Sequence, residues 1–164
     1  MAKTPYEKTM TRAVNLLGYK PRTIAEMRAR LLEKDWADPA VVEQVLDRLR
    51  ELKYLDDEAY AANFAQARLS AKPLGRARLR RDLQRKKLPP QAVESALDQA
   101  YEERDEEALI NEAIRKRTRL KGPPDSPEAA KKLFDYLIRR GFGFDLARRK
   151  IRECSREIDI EEST

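Results

Sequence analysis

The 164-residue chain has no histidine and a single cysteine, Cys154. The first absence removes the commonest general base and metal ligand. The second excludes an internal disulfide and fits a reducing cytoplasm; Cys154 is expected to pack on the last helix and not to act as a reactive thiol. Glycine is scarce: the five residues are scattered, and none precedes a Lys-Ser or Lys-Thr pair, so no phosphate-cradling loop is present. No apolar run approaches the roughly 20 residues that a membrane-spanning helix needs, and Met1 to Met10 lacks the apolar segment of a signal peptide. β-branched residues fall at helical spacing, not in alternation, so no strand is expected. These absences fit a soluble, cytoplasmic protein and recommend no enzyme, cofactor or metal; a monomer is expected.

What is present is charge and repetition. Asp, Glu, Lys and Arg make up 39% of the chain, the net charge is +6 and the isoelectric point is near 9.5. Such a balance suits a polyanionic partner, either nucleic acid or an acidic protein surface. Met27, Leu31, Trp36, Val41 and Val45 have the mutual spacing of Leu79, Leu83, Leu88, Val93 and Leu97. Leu133, Leu137, Phe142, Ala147 and Ile151 repeat it again, and Pro21, Pro73 and Pro127 each stand six positions before their anchor, where a helix should begin. Repetition on this scale predicts stacked helical units that share their apolar faces and present an extended binding surface.

The expected architecture is all-α, an elongated array of three tandem three-helix units resembling helix–turn–helix modules. The units span residues 1–54, 55–102 and 103–156, followed by an acidic tail, 157–164, expected to be disordered. In the first unit a helix from about Tyr6 to Leu17 is stopped by Gly18 in a left-handed turn. Thr23 with Glu26 forms a capping box, and Asp38-Pro39 opens the third helix. The second unit runs from Asp56 or Asp57 to about Leu69, then Arg76 to Lys87, then Pro89-Pro90 to Tyr101. In the third, helices cover about Asp105 to Leu120, Pro127 to Arg140 and Phe144 to Arg156. Asp56 and Asp57 resemble a metal or acid–base pair, but carboxylates at a helix start are better explained as caps. Trp36 shares its repeat position with Leu88 and Phe142 and is expected in the core; Tyr54 and Tyr60 are expected to pack.

The basic segments carry the functional signal. From Arg68 to Lys87 there are nine Lys or Arg residues and one acid, Asp82. On a helix that buries Leu79 and Leu83, Arg76, Arg80 and Lys87 flank one side and Arg78, Arg81 and Arg85 the other. Lys86 extends the cluster. Arg115, Lys116, Arg117, Arg119 and Lys121 form a second run, and Arg139, Arg140, Arg148, Arg149 and Lys150 a third group. The first two units are not expected to read duplex sequence, because their third helices carry Glu43, Asp47 and Glu51, or Glu94 and Asp98, which would meet phosphates.

Leu52-Lys53-Tyr54-Leu55-Asp56-Asp57-Glu58-Ala59-Tyr60-Ala61 resembles the Gly-Tyr-Leu-Asp-Asp segment that joins the first and second units of the RecX family. Tyr19 to Arg22, Leu31 to Lys34 and Val45 to Leu52 are similar to that family's first unit, Gly75 to Leu88 to its basic second unit, and Arg139 to Arg149 to its C-terminal end. Lys53 stands where the family commonly has glycine, so this connection is expected to need no left-handed residue. The resemblance implies a non-enzymatic regulator that docks in the groove of the RecA filament on single-stranded DNA and inhibits ATP hydrolysis, strand exchange and filament growth. It supplies no contact residues. From charge clustering, the expected contacts with RecA or single-stranded DNA are Arg76, Arg78, Arg80, Arg81, Arg85, Lys86, Lys87, Arg115, Lys116, Arg117, Arg119, Lys121, Arg139, Arg140, Arg148 and Arg149. A nucleic-acid-binding module independent of RecA, and a protein-only adaptor, are the alternatives.

Overall fold

A computed structural model describes residues 1–162, with side chains for residues 1–157. The described residues form nine α-helices and no strand: α1 (Pro5–Tyr19), α2 (Ile24–Leu32), α3 (Pro39–Glu51), α4 (Asp57–Ala71), α5 (Arg76–Gln84), α6 (Pro90–Glu103), α7 (Glu106–Lys121), α8 (Pro127–Arg139) and α9 (Phe144–Glu162). They fall into two compact units, residues 1–64 with 83–96 and residues 65–82 with 97–164, so α4, α5 and α6 each contribute to both.

In the first unit α1 packs on α2 and α3 around Ala13, Leu16, Met27, Leu31, Val42, Val45, Leu46, Leu49 and Leu55. The capping box at Thr23 forms as its sequence dictates: Thr23 Oγ1 accepts the Glu26 N–H at 3.1 Å, and Glu26 accepts the Thr23 N–H at 3.4 Å. Asp38 caps α3 by accepting the Ala40 N–H at 2.9 Å, with Pro39 in the first turn. In the second unit α7 packs on α8 and α9, with Leu109, Ile110, Ala113, Leu133, Leu137, Phe142 and Ala147 buried. Lys150 is buried there as well, between Glu107 at 3.0 Å and Glu153 at 3.2 Å. Burial lowers the Lys150 pKa, and the two carboxylates outweigh it, so the ammonium is held above the ordinary lysine value.

Helix ends explain most departures from the sequence pattern. Gly18 does not stop α1, which continues to Tyr19; no left-handed residue is needed because Lys20 leaves the helix in extended backbone. Lys53, by contrast, is left-handed, with φ of 63°. Its N–H bonds the Arg50 carbonyl at 3.0 Å and the Tyr54 N–H bonds the Leu49 carbonyl at 2.9 Å, the two bonds of a Schellman ending, which requires that conformation. α5 ends at Gln84, so Arg85, Lys86 and Lys87 lie in the following turn, and Lys87 is left-handed at φ 57°. α2 and α5 begin three residues after Pro21 and Pro73, whereas α8 begins at Pro127 itself. Trp36 is only half-buried, with Lys8 Nζ 4.2 Å from its ring centroid, because α3 turns Val42 and not Val41 fully inward. Tyr54 is exposed just beyond the Lys53 turn, while Tyr60 stacks on Phe64 at 6.2 Å. α9 runs past Arg156 to Glu162, as a stretch without Pro or Gly permits, and Ser163 and Thr164 lie outside the described residues.

The contact between successive three-helix segments is itself a repeat. In the first unit Thr23 Oγ1 donates to the Lys86 carbonyl at 3.0 Å, and the Ile24 N–H donates to Asp57 Oδ1 at 2.9 Å. In the second unit the Gly75 N–H donates to the Arg140 carbonyl at 2.8 Å, and the Arg76 N–H donates to Glu106 Oε1 at 3.2 Å. Thr23 and Gly75 occupy equivalent positions, as do Lys86 and Arg140. In each case the start of a middle helix donates to a turn carbonyl of the next triplet, by a hydroxyl from Thr23 and an N–H from Gly75, and gives one first-turn N–H to a first-turn carboxylate.

Candidate functional site

Asp56 and Asp57 act on two different helices. Asp56 accepts the Ala59 N–H at 3.1 Å and caps α4; Asp57 is taken by the Ile24 N–H and so closes α2. Neither is free for acid–base work, and among the described residues no group of three or more His, Cys, Asp or Glu is placed to hold a metal ion. Cys154 is half-buried, and burial followed by repulsion from Glu157 and Glu153 pushes its thiol pKa up, which opposes thiolate chemistry.

The basic residues divide into those the fold uses and those it leaves on the surface. Asp82, the one acid of the basic stretch, is buried; Arg68 Nη2 lies 2.5 Å from its Oδ2, and Arg78 Nε 3.3 Å from its Oδ1. Burial raises the Asp82 pKa, but Arg68 and then Arg78 outweigh it and hold the carboxyl below the ordinary aspartate range. Arg76 pairs with the exposed Asp98, whereas Arg78 reaches the buried Asp82. Arg149 forks onto Glu107 with both bonds at 3.2 Å, and Lys116 pairs with Glu112 at 3.1 Å. Lys86 lies 3.8 Å from Glu26 and 5.6 Å from the Phe64 ring centroid. Arg80 is half-buried.

In the second unit Arg81, Arg115, Arg119, Lys121, Arg139 and Arg148 remain exposed; in the first, Arg85 and Lys87 do. Lys87 and Lys53, the two left-handed lysines, line one open cleft in the first unit, with Arg28 and Arg50 but also Asp47, Glu51 and Glu58. Its charge is mixed. The second unit holds a more distinctive arrangement, centred on a residue that charge clustering missed. Tyr136 lies under two guanidiniums, Arg117 at 4.9 Å and Arg140 at 5.1 Å from its ring centroid. The spacing of Tyr136 and Arg140, four residues apart at the end of α8, was a legible signal; the approach of Arg117 from α7 was not. Beside Arg117 a cleft of about 430 Å³ opens between the end of α7 and the start of α8, with Lys121 and Lys132 on its wall.

Nine helices among the described residues, in three like triplets joined by a repeated junction, define a helical-repeat protein. The comparisons with known proteins give that class its family. Models of the first, second and third three-helix domains of RecX match residues 10–49, 56–97 and 105–151. The chain belongs to the RecX family. It is 34% identical over 154 residues to the regulatory protein RecX of Prosthecochloris aestuarii, covering 93% of this chain and 97% of that one. With the regulatory protein RecX of Mycolicibacterium smegmatis it shares 31% identity, over 88% of this chain and 78% of the relative. The crystal structure of RecX from Lactobacillus salivarius superposes with a TM-score of 0.80 at 20% identity, covering 92% of this chain and 97% of that one, a likeness of fold.

Proposed function

We propose that this chain is a negative regulator of the RecA recombinase, a non-enzymatic cytoplasmic monomer that occupies the groove of the RecA filament on single-stranded DNA. Occupancy of that groove inhibits ATP hydrolysis, strand exchange and filament extension. Membership of a family of regulatory proteins supports the reading, and one structural observation carries it to this chain. Carboxylates are engaged by partners within the chain, Asp57 and Glu106 by backbone N–H groups, Asp82 and Asp98 by Arg68, Arg78 and Arg76, and Glu107 by Arg149 and Lys150. Arginines are left facing outward, which directs a positive field at an acidic or phosphate-lined groove. No described helix is long and apolar enough to cross a membrane.

The test is the rate of single-stranded-DNA-dependent ATP hydrolysis by RecA as this protein is titrated in. Inhibition at ratios well below one per RecA supports action on filament growth. An unchanged rate, with DNA still shifted in a gel, overturns the proposal in favour of a helical DNA-binding module independent of RecA. Within the proposed surface, Arg81→Glu with Arg85→Glu should abolish inhibition.

A further inference from the structure

We infer that Arg117, Tyr136 and Arg140 form a contact site for single-stranded nucleic acid, with the guanidiniums on phosphates and the Tyr136 ring against an unstacked base. The inference deepens the proposed function by assigning the DNA contact to particular residues of the second unit.

Three observations converge on it. Both guanidiniums rest on one ring, so their central carbons are at most about 10 Å apart, no more than a Debye length at 0.1 M salt, and their repulsion is only partly screened. Neither arginine forms an ion pair with a carboxylate among the described residues, although Arg76, Arg78 and Arg149 all do. The fold has therefore gathered two cations on an aromatic surface without an acid to hold them. Third, the cleft beside Arg117 brings Lys121 and Lys132 against Pro123, Pro124 and Leu133, an apolar floor under cations, with Asp125 and Glu128 as its acids. Its volume of about 430 Å³ falls within the range of sites for small organic groups such as one nucleotide.

The chemistry selects a single strand over the other polyanions. A guanidinium that rests on a ring keeps N–H donors at its edge, and these fit phosphate oxygens two at a time. Aromatic and guanidinium planes stack on bases, which a single strand offers and a duplex hides. An acidic protein surface would satisfy the charges and leave the ring without a role. Exposure fits as well: Arg117, Tyr136 and Arg140 are all partly open to solvent, and exposed Arg139 adjoins them.

The deciding experiment measures binding of the full chain to a fluorescent oligothymidine strand by anisotropy across a salt series. Arg117→Gln with Arg140→Gln should weaken binding about tenfold or more at 0.1 M salt. It should also reduce the log–log salt slope by about 1.4, two phosphates at roughly 0.7 each. Arg48→Gln with Arg50→Gln, an equal charge loss in the first unit, should change affinity by less than about threefold. Tyr136→Leu should cost about fivefold or more, and Tyr136→Phe, which keeps the ring, less than twofold. Circular dichroism confirms folding of each variant, and Tyr136→Phe keeps the test meaningful if Tyr136→Leu unfolds. Equal losses in the two arginine pairs would overturn the inference. So would poly-glutamate that competes equally per charge and loses as much affinity from Tyr136→Leu. RecA ATPase is read in parallel. Wild-type protein that spares RecA while the strand-binding losses appear refutes only the regulator reading. Inhibition by wild type with no loss in the variants refutes only this site.

Discussion

Gly141→Ala should be among the most damaging single-methyl changes in the molecule, and its repeat counterpart gives the control. Gly141 is left-handed at φ 90°, and a Cβ there would stand 2.8 Å from Arg78 Cα and closer still to Arg78 N and Cβ. The left-handed conformation costs a side chain about 1–2 kcal/mol. Forcing α5 away adds about 1–3 kcal/mol of overpacking. The same shift strains the Gly75 N–H bond to Arg140 at 2.8 Å and the Ala77 N–H bond to Gly141 at 3.2 Å, at about 0.5–1.5 kcal/mol each. The total is about 3–8 kcal/mol, a large part of the 5–15 kcal/mol typical of a folded domain. Lys87 occupies the equivalent position with φ of 57° and is exposed. Lys87→Gly relieves the strained backbone at some cost in chain entropy and should stabilise by about 0.5–1 kcal/mol. Thermal melts followed by circular dichroism should therefore move in opposite directions, down by about 10 °C or more for Gly141→Ala and up by about 1–4 °C for Lys87→Gly. A drop smaller than about 3 °C in Gly141→Ala would refute the claim that backbone contact, and not turn geometry alone, demands glycine there.

Gly18→Ala, inside α1 with open space around its Cβ, should stabilise by about 0.5–1 kcal/mol in urea denaturation. Asp57→Ala should cost about 1–2 kcal/mol and selectively accelerate amide hydrogen exchange at Ile24, whose N–H it accepts. Asp82→Asn should destabilise by about 1–3 kcal/mol at neutral pH, discounted because Arg68 is partly exposed. The Asp82 pKa is lower folded than unfolded, so its contribution is complete above the unfolded value near 3.9 and is lost as pH falls through the folded value. The gap between wild type and Asp82→Asn should thus be constant from pH 5 to 8 and close below about pH 4. Cys154, its thiol raised by burial, should be alkylated at pH 7.5 more slowly than free cysteine.

Helices and their caps were legible because their causes are local: Thr23 with Glu26, Asp38 with Pro39 and Asp105 before α7 need only near neighbours. The repeat of buried anchors was legible for the same reason, since periodicity marks the inward face. Left-handed endings were read less well. Lys53 and Lys87 adopt a conformation their identity disfavours: two Schellman bonds fix the turn at Lys53, the Lys87 N–H bonds the Gln84 carbonyl at 3.0 Å, and the buried Leu55 and Leu88 follow them. The candidate site was legible only as charge. Which arginines the fold uses depends on partners far along the chain, such as Arg68 for Asp82 or Glu107 for Arg149, and no spacing rule predicts them. The same distance hid Tyr136, whose second cation comes from another helix.

The repeated junction also separates helix starts that link to a neighbour from helix starts that cap themselves. Each link joins a donor at the start of a middle helix, a hydroxyl or an N–H, to a turn carbonyl, and the next N–H to a first-turn carboxylate of the following triplet. α8 starts one turn early, so the position equivalent to Thr23 and Gly75 is Ala129, whose N–H is already taken by Ser126 at 3.1 Å, and Pro127 has no N–H to give. At the other end Glu7, in the first turn of α1, is engaged with the Thr4 N–H at 2.8 Å, and the turn after α2 has no left-handed residue. In α1 and α8 the first turn thus satisfies itself, with Glu7 on the Thr4 N–H and Ser126 on the Ala129 N–H, whereas the Ile24 and Arg76 N–H groups look to the next triplet.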